Sequence, residues 1–195
     1  MEGGLMTPVR ERQRRREGLL FLALFALTVP AANWMIGHFG TACAAPPGPC
    51  VVPVAPGLVA PSGVIMVGAA LVLRDLVQRR LGTGVSVIAI LFGTAMSALL
   101  APASLVLASG VAFLLSEFAD LAVYTPLARR RLVAAVVASS SIGLVVDSIV
   151  FLWLAFGSLD FLLGQIVGKA WMVLLSIPLV AWLRRREGRL GMVPA

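Results

Sequence analysis

Glu117 and Asp120 stand three residues apart in an otherwise apolar stretch, with Ser116 before them and Tyr124 one turn further on. On a helix that spacing sets both carboxylates and the phenol along one face. Asp147, followed by Ser148, interrupts a second apolar stretch, and Ser139, Ser140 and Ser141 precede it. Gln165 and Lys169 are four apart and share a face in a third. Arg74 and Asp75 adjoin each other in a fourth, and Asn33 follows Pro30 by three residues in a fifth. An ionised side chain within a bilayer costs several kcal/mol, so each of these needs a partner, water or a ligand.

The embedded acids are Asp75, Glu117, Asp120 and Asp147, and the embedded bases are Arg74 and Lys169. Acids outnumber bases, which favours a ligand site over a set of ion pairs that only glues helices together. Close carboxylates suit a solute rich in N–H donors. A guanine-like base presents two adjacent donors, and the amides of Asn33 and Gln165 complement its carbonyl and ring nitrogens. Trp34, Phe113, Tyr124, Trp153 and Trp171 are rings on which a flat heterocycle can stack. The same residues also suit a cationic amine or proton carriage. Arg74 and Asp75 have two readings: a functional pair, or side chains snorkelling to the headgroups. Catalysis is not expected. There is no GxxxxGK[ST], GxSxG, HExxH or CxxC, and His38 is the one histidine. Cys43 and Cys50 lack His or acidic neighbours, so neither a metal site nor a cofactor is expected.

These residues need elements to carry them. The chain has 195 residues, 59% apolar and 13% charged, with a mean hydropathy of +0.98. That excludes a disordered chain, a coiled coil and an ordinary soluble enzyme. Apolar runs of about twenty residues predict an all-α polytopic membrane protein. Six helices are expected, at 18–38, 62–81, 84–101, 104–127, 131–156 and 161–183. Fourteen of the sixteen Lys and Arg residues fall in four clusters, at 10–16, 79–80, 129–131 and 184–189. The stretches 39–61, 101–108 and 157–160 contain none. The positive-inside rule puts the clusters, and so both termini, in the cytoplasm. That placement makes the basic clusters topology anchors near anionic lipid rather than a nucleic-acid patch, despite a net charge of +7. The expected organisation is a basic tail over 1–17, a six-helix domain over 18–183 and a basic tail over 184–195. Residues 10–44 also imitate a cleaved signal peptide, but cleavage would leave five spans and break the charge alternation. The outer loop 39–61 holds Pro46, Pro47, Pro49, Pro53, Pro56 and Pro61, which forbid a regular helix. Its two cysteines read either as a disulfide or as two free thiols in a small apolar cap.

The stretch SGVAFLLSEFADLAVYTPL (109–127) resembles the fourth span of the vitamin-uptake-like (VUT) family, the queuosine precursor transporters. The matching residues are Ala112, Phe113, Ser116, Glu117, Asp120, Val123, Tyr124 and Leu127. Arg131, Ser140, Asp147, Ser148 and Phe151 are similar to the family's next span, and Lys169 and Pro178 to its last. Ala32-Asn33 and LVLRDLVQRRLG (71–82) resemble the first and second spans more loosely. The likeness covers nearly all the chain from the first span onward. It departs at the Pro-rich Cys loop and at Glu117, where the family often has Gln. What the resemblance implies is an importer of 7-deazaguanines, such as 7-cyano-7-deazaguanine, in the cytoplasmic (inner) membrane. Asn33, Glu117, Asp120, Asp147, Gln165 and Lys169 are then the expected binding set, lining a midplane cavity. Arg74, Asp75, Ser116, Tyr124 and Ser148 are expected to support or gate it, and Asp147 and Lys169 to form an ion pair that changes partners. The expected partners are the small solute and the bilayer, without nucleic acid; the oligomeric state is left open, a homodimer included. Two alternatives stand beside this reading. One is the substrate-binding subunit of an energy-coupling-factor transporter, although the first span lacks the expected Ala-x-x-x-Ala pattern. The other is a non-transporting structural membrane protein.

Overall fold

A computed structural model describes residues 8–43, 49–101 and 105–191. Pro46, Pro47 and the outermost parts of both basic tails lie outside these residues. Six helices account for most of the chain: α1 (Pro8–His38), α2 (Val64–Leu81), α3 (Thr83–Leu100), α4 (Val106–Leu127), α5 (Leu132–Phe156) and α6 (Leu162–Leu190). Five of them, all but α2, are long and apolar enough to cross a membrane. Helix α2 is set apart by composition, since Arg74, Asp75, Arg79 and Arg80 fall within its 18 residues. It is also the central helix and packs against all five others. A helix walled in by protein can carry charge that a lipid-facing helix cannot.

The bundle's exterior is apolar. Ile88, Leu99, Leu107, Leu163 and Leu175 are each more than 60% exposed. In water such a surface would aggregate, whereas in lipid it is the expected outer face. Trp34, Trp153, Trp171 and Trp182 are also exposed and point away from the interior rather than stacking over a site, as membrane-interface tryptophans do. The chain is a multi-pass membrane protein. With lipid outside, packing rather than apolar burial holds the helices together, and small residues allow it. A Cβ on Gly68 of α2 would lie 2.9 Å from the Lys169 carbonyl oxygen, and one on Gly168 of α6 would lie 2.9 Å from Val64. Gly68 lets α2 meet the backbone of α6 at Lys169, and Gly168 makes room for the Val64 side chain of α2.

The basic segments are helical too. α1 begins at Pro8, so the change of hydropathy near residue 17 is not its start, and α6 continues to Leu190. Glu17 on α1 accepts a hydrogen bond from Arg186 on α6 at 2.6 Å, so the start of α1 and the last turns of α6 lie at one end of the bundle, called here the basic end.

The proline-rich loop is not irregular throughout. It forms a three-stranded antiparallel sheet of β1 (Ala42–Cys43), β2 (Cys50–Ala55) and β3 (Leu58–Pro61) in the order β1-β2-β3. Pro56-Gly57 makes the tight turn between β2 and β3, and Gly57 takes a φ of 73°, which favours glycine. Cys43 and Cys50 face each other across β1 and β2 and are joined by a disulfide. The sheet caps the end opposite the basic end. Ser62 Oγ donates to the Met35 carbonyl at 2.7 Å, and Trp171 Nε1 to the Val54 carbonyl at 2.9 Å.

Candidate functional site

The polar residues of the interior fall into three layers along the bundle. The first, under the sheet, lines a cavity with about 690 Å³ of empty space counting its open mouth. Asn33, Asp147, Gln165 and Lys169 are at its wall, with Phe113 and Phe151. Lys169 Nζ donates to Asp147 Oδ2 (2.6 Å), Ser148 Oγ (2.8 Å) and Gln165 Oε1 (2.6 Å), which uses all three of its protons. The ammonium therefore sets the wall and has no donor left for a solute. What it leaves free is informative. Asp147 Oδ1, Asn33 Oδ1 and Gln165 Nε2 make no hydrogen bond to any described residue. Two acceptors and one amide donor thus border a cavity that also holds two phenyl rings. Asn33 is positioned by its Nδ2, which donates to the Val29 carbonyl one turn back at 2.9 Å.

The second layer is the Arg74 cluster. Arg74, Asp75 and Asp120 are fully buried and Glu117 nearly so, which excludes snorkelling to the headgroups. Arg74 Nη2 lies 2.7 Å from Asp75 Oδ1 and also contacts Asp120. Its Nε donates to Glu117 Oε2 at 3.3 Å, and its Nη1 to Gln78 Oε1 at 3.1 Å. Ser139 donates to the other Asp75 oxygen at 2.8 Å. The Tyr124 ring packs 5.6 Å from the guanidinium carbon. One guanidinium thus gathers three carboxylates from α2 and α4. A buried cation takes what counter-charge it can reach, and a planar fork with five donors can serve several at once.

This corrects the expected cavity. Glu117 and Asp120 do not line it with Asp147, because Arg74 draws them inward. Ser116 is buried and donates to the Phe113 carbonyl of its own helix, so it takes part in neither layer. Of the expected binding set, the structure brings together Asn33, Asp147, Gln165 and Lys169. Thr28, Ser97, Ser109 and Phe151 also line the cavity. Ser97 and Ser109 carried a usable signal, as isolated hydroxyls in apolar stretches.

The third layer lies at the basic end. Arg79 Nε donates to both oxygens of Glu187, at 2.8 and 3.0 Å, and Arg80 also contacts Glu187. Arg80 Nε donates to Glu17 at 3.0 Å. Arg79 and Arg80 are buried, so they are bonds between α1, α2 and α6 rather than lipid anchors. Their acidic partners sit among the basic clusters, where counting charges hides them.

Among the described residues no group of His, Cys, Asp and Glu is arranged to hold a metal ion. No curated protein and no solved structure matches the chain significantly. A family described as "Putative vitamin uptake transporter" matches residues 85–183, just over half the chain. That stretch contains α4, α5 and α6 up to Leu183, hence Glu117, Asp120, Asp147, Gln165 and Lys169, while Asn33, Arg74 and the sheet fall outside it. On that match, the chain belongs to the vitamin uptake transporter family.

Proposed function

We propose that this protein imports a 7-deazaguanine precursor of queuosine, such as 7-cyano-7-deazaguanine, across the cytoplasmic membrane. In this reading all six helices span the bilayer, both termini are cytoplasmic and the sheet faces outward. Residues 18–183 form the transport domain. The positive-inside rule supports the orientation, since the Arg clusters gather at one end of the bundle and the sheet end is poor in them.

The observation that carries the reading is the set of free polar groups around the sheet-end cavity. Asp147 Oδ1 or Asn33 Oδ1 accepts from the N–H edge of the base, Gln165 Nε2 donates to its carbonyl, and Phe113 and Phe151 flank the ring. Membership of an uptake family supports transport over a purely structural role. The Lys169–Asp147 pair ties α6 to α5 across the cavity wall and gives a bound solute a means of shifting both helices.

The test is uptake of labelled 7-cyano-7-deazaguanine, together with tRNA queuosine content in a strain unable to make the precursor. Asp147→Asn and Gln165→Leu are expected to cut uptake at least tenfold at unchanged membrane abundance. Full activity in both variants would remove the cavity from the reading.

A further inference from the structure

A second cavity lies on the other side of the Arg74 cluster. Gln78, Arg79, Thr83, Tyr124, Thr125 and Arg129 border it, with about 390 Å³ of empty space counting its mouth. The two chambers lie in line. On α2 the first ends at Ala70 and the second begins at Gln78, a separation of about 12 Å of helix with Arg74 at its midpoint. On α4 the first reaches Phe113 and the second begins at Tyr124, with Glu117 and Asp120 between. A packing defect between apolar helices would be walled by carbon and dry. This one is walled by an amide, three hydroxyls and guanidinium groups.

Its hydrogen bonds are partly spoken for. Gln78 Nε2 donates to Thr83 at 3.2 Å and to Thr125 at 3.0 Å, and Thr125 donates to the Leu121 carbonyl at 2.7 Å. Arg79 is engaged by Glu187 and by the Ala128 carbonyl at 3.1 Å, while Arg129 is exposed. The buried part of the chamber therefore offers no free charge. Tyr124 is fully buried, and its hydroxyl lies beside the Arg79 guanidinium without a well-directed hydrogen bond to any described residue. A buried phenol without a partner costs about 1–3 kcal/mol, which a solute bonded to it would recover.

We propose that this chamber is a release-side binding site for the same neutral, hydrogen-bonding planar base, with Tyr124 Oη its recognition group. The Arg74 guanidinium and its carboxylates, with the buried Leu71, Leu76 and Val77 of the same helix, then form the barrier between the two sites. Gln78 and Tyr124 touch both the barrier and the chamber, so a base arriving there competes for the groups that hold Arg74 in place. This inference rests on the transport reading above.

The experiment measures half-saturation for 7-cyano-7-deazaguanine from each face, in right-side-out and inverted membrane vesicles. Tyr124→Phe removes one atom that makes no well-directed hydrogen bond and adds no volume, so the fold should stand. Half-saturation from the basic-end face should rise roughly tenfold, the loss of one good hydrogen bond, and that from the sheet-end face should not change. Equal shifts on both faces, or none on either, would overturn the second site. Independently, Thr125→Cys in the otherwise disulfide-bonded chain should react with a membrane-impermeant thiol reagent from the basic end, and the base should slow that reaction several-fold. An unslowed reaction would also overturn it. Wild-type vesicles that accumulate no base would bring down the transport reading and this inference with it. A failure confined to the two variants would leave transport at the sheet-end cavity standing.

Discussion

Lys169 and Arg74 carry the same formal charge and do opposite things with it. Lys169 spends three protons on Asp147, Ser148 and Gln165 and stays at a cavity wall. Arg74 reaches three carboxylates and a glutamine and closes the space around itself. Removing one partner of a buried pair strands the other, at a cost of about 3–5 kcal/mol. Lys169→Met is therefore expected to lower the thermal unfolding midpoint in detergent markedly. Adding Asp147→Asn to it should restore much of that loss without restoring uptake. If the double variant is no more stable than the single one, the pair is not what holds α5 to α6. Arg74→Leu leaves Asp75, Glu117 and Asp120 without a cation at all and should yield no monodisperse protein. The residues themselves were all legible in the sequence, because an ionised group in an apolar run stands out. Of their partners, the Lys169–Asp147 pair was expected, whereas the three carboxylates around Arg74 were not. Spacing of three or four places Glu117 and Asp120 on one face of α4 but cannot say that the face meets α2, so an excess of acids over bases looked like a ligand site when one arginine absorbs three of them.

Between elements, glycine sets the distances. Gly68 brings α2 onto the backbone of α6 at Lys169, and Gly168 seats the Val64 side chain beside it. Gly68→Ala would put a methyl group 2.9–3.0 Å from Lys169 backbone atoms, which cannot move as a side-chain tip can. The helices must part by several tenths of an ångström, at a cost of about 1–3 kcal/mol, and Lys169 moves with its backbone. We expect weaker binding of the base and reduced uptake at near-normal expression. Gly84→Ala, where nothing lies within 4 Å, should change neither. Equal effects at the two positions would mean that helix propensity, not the crossing, is responsible. Helix boundaries were legible from hydropathy to within a few residues, except where Arg, Glu and Gln extend α1 and α6 beyond the apolar runs. The sheet was not. Six prolines excluded a helix, but strand pairing is set by contacts between separate segments, and only the Pro56-Gly57 turn marked it locally.

For the molecule as a whole, the three layers define a state. The sheet-end cavity is open, the Arg74 cluster is closed, and the basic end is tied by Glu187 to Arg79 and Arg80 and by Glu17 to Arg80 and Arg186. Those ties join α1, α2 and α6, so they break if the basic end opens. In the transport reading they hold the molecule toward the outside, and Glu187→Gln weakens them by removing the charge two arginines share. A change of about 1–3 kcal/mol multiplies the basic-end-open population about 5- to 150-fold. Two observables then part company. The modification rate of a cysteine placed at position 183, where Leu183 is buried one turn before Glu187, follows the open population directly and should rise by that factor. Apparent affinity from the sheet end follows the closed population and falls only once the open state is no longer rare. A small weakening of the latch should therefore accelerate labelling long before it weakens binding. Weakened sheet-end binding without faster labelling would mean that Glu187 acts on the cavity through the length of α6 and not by holding the basic end shut.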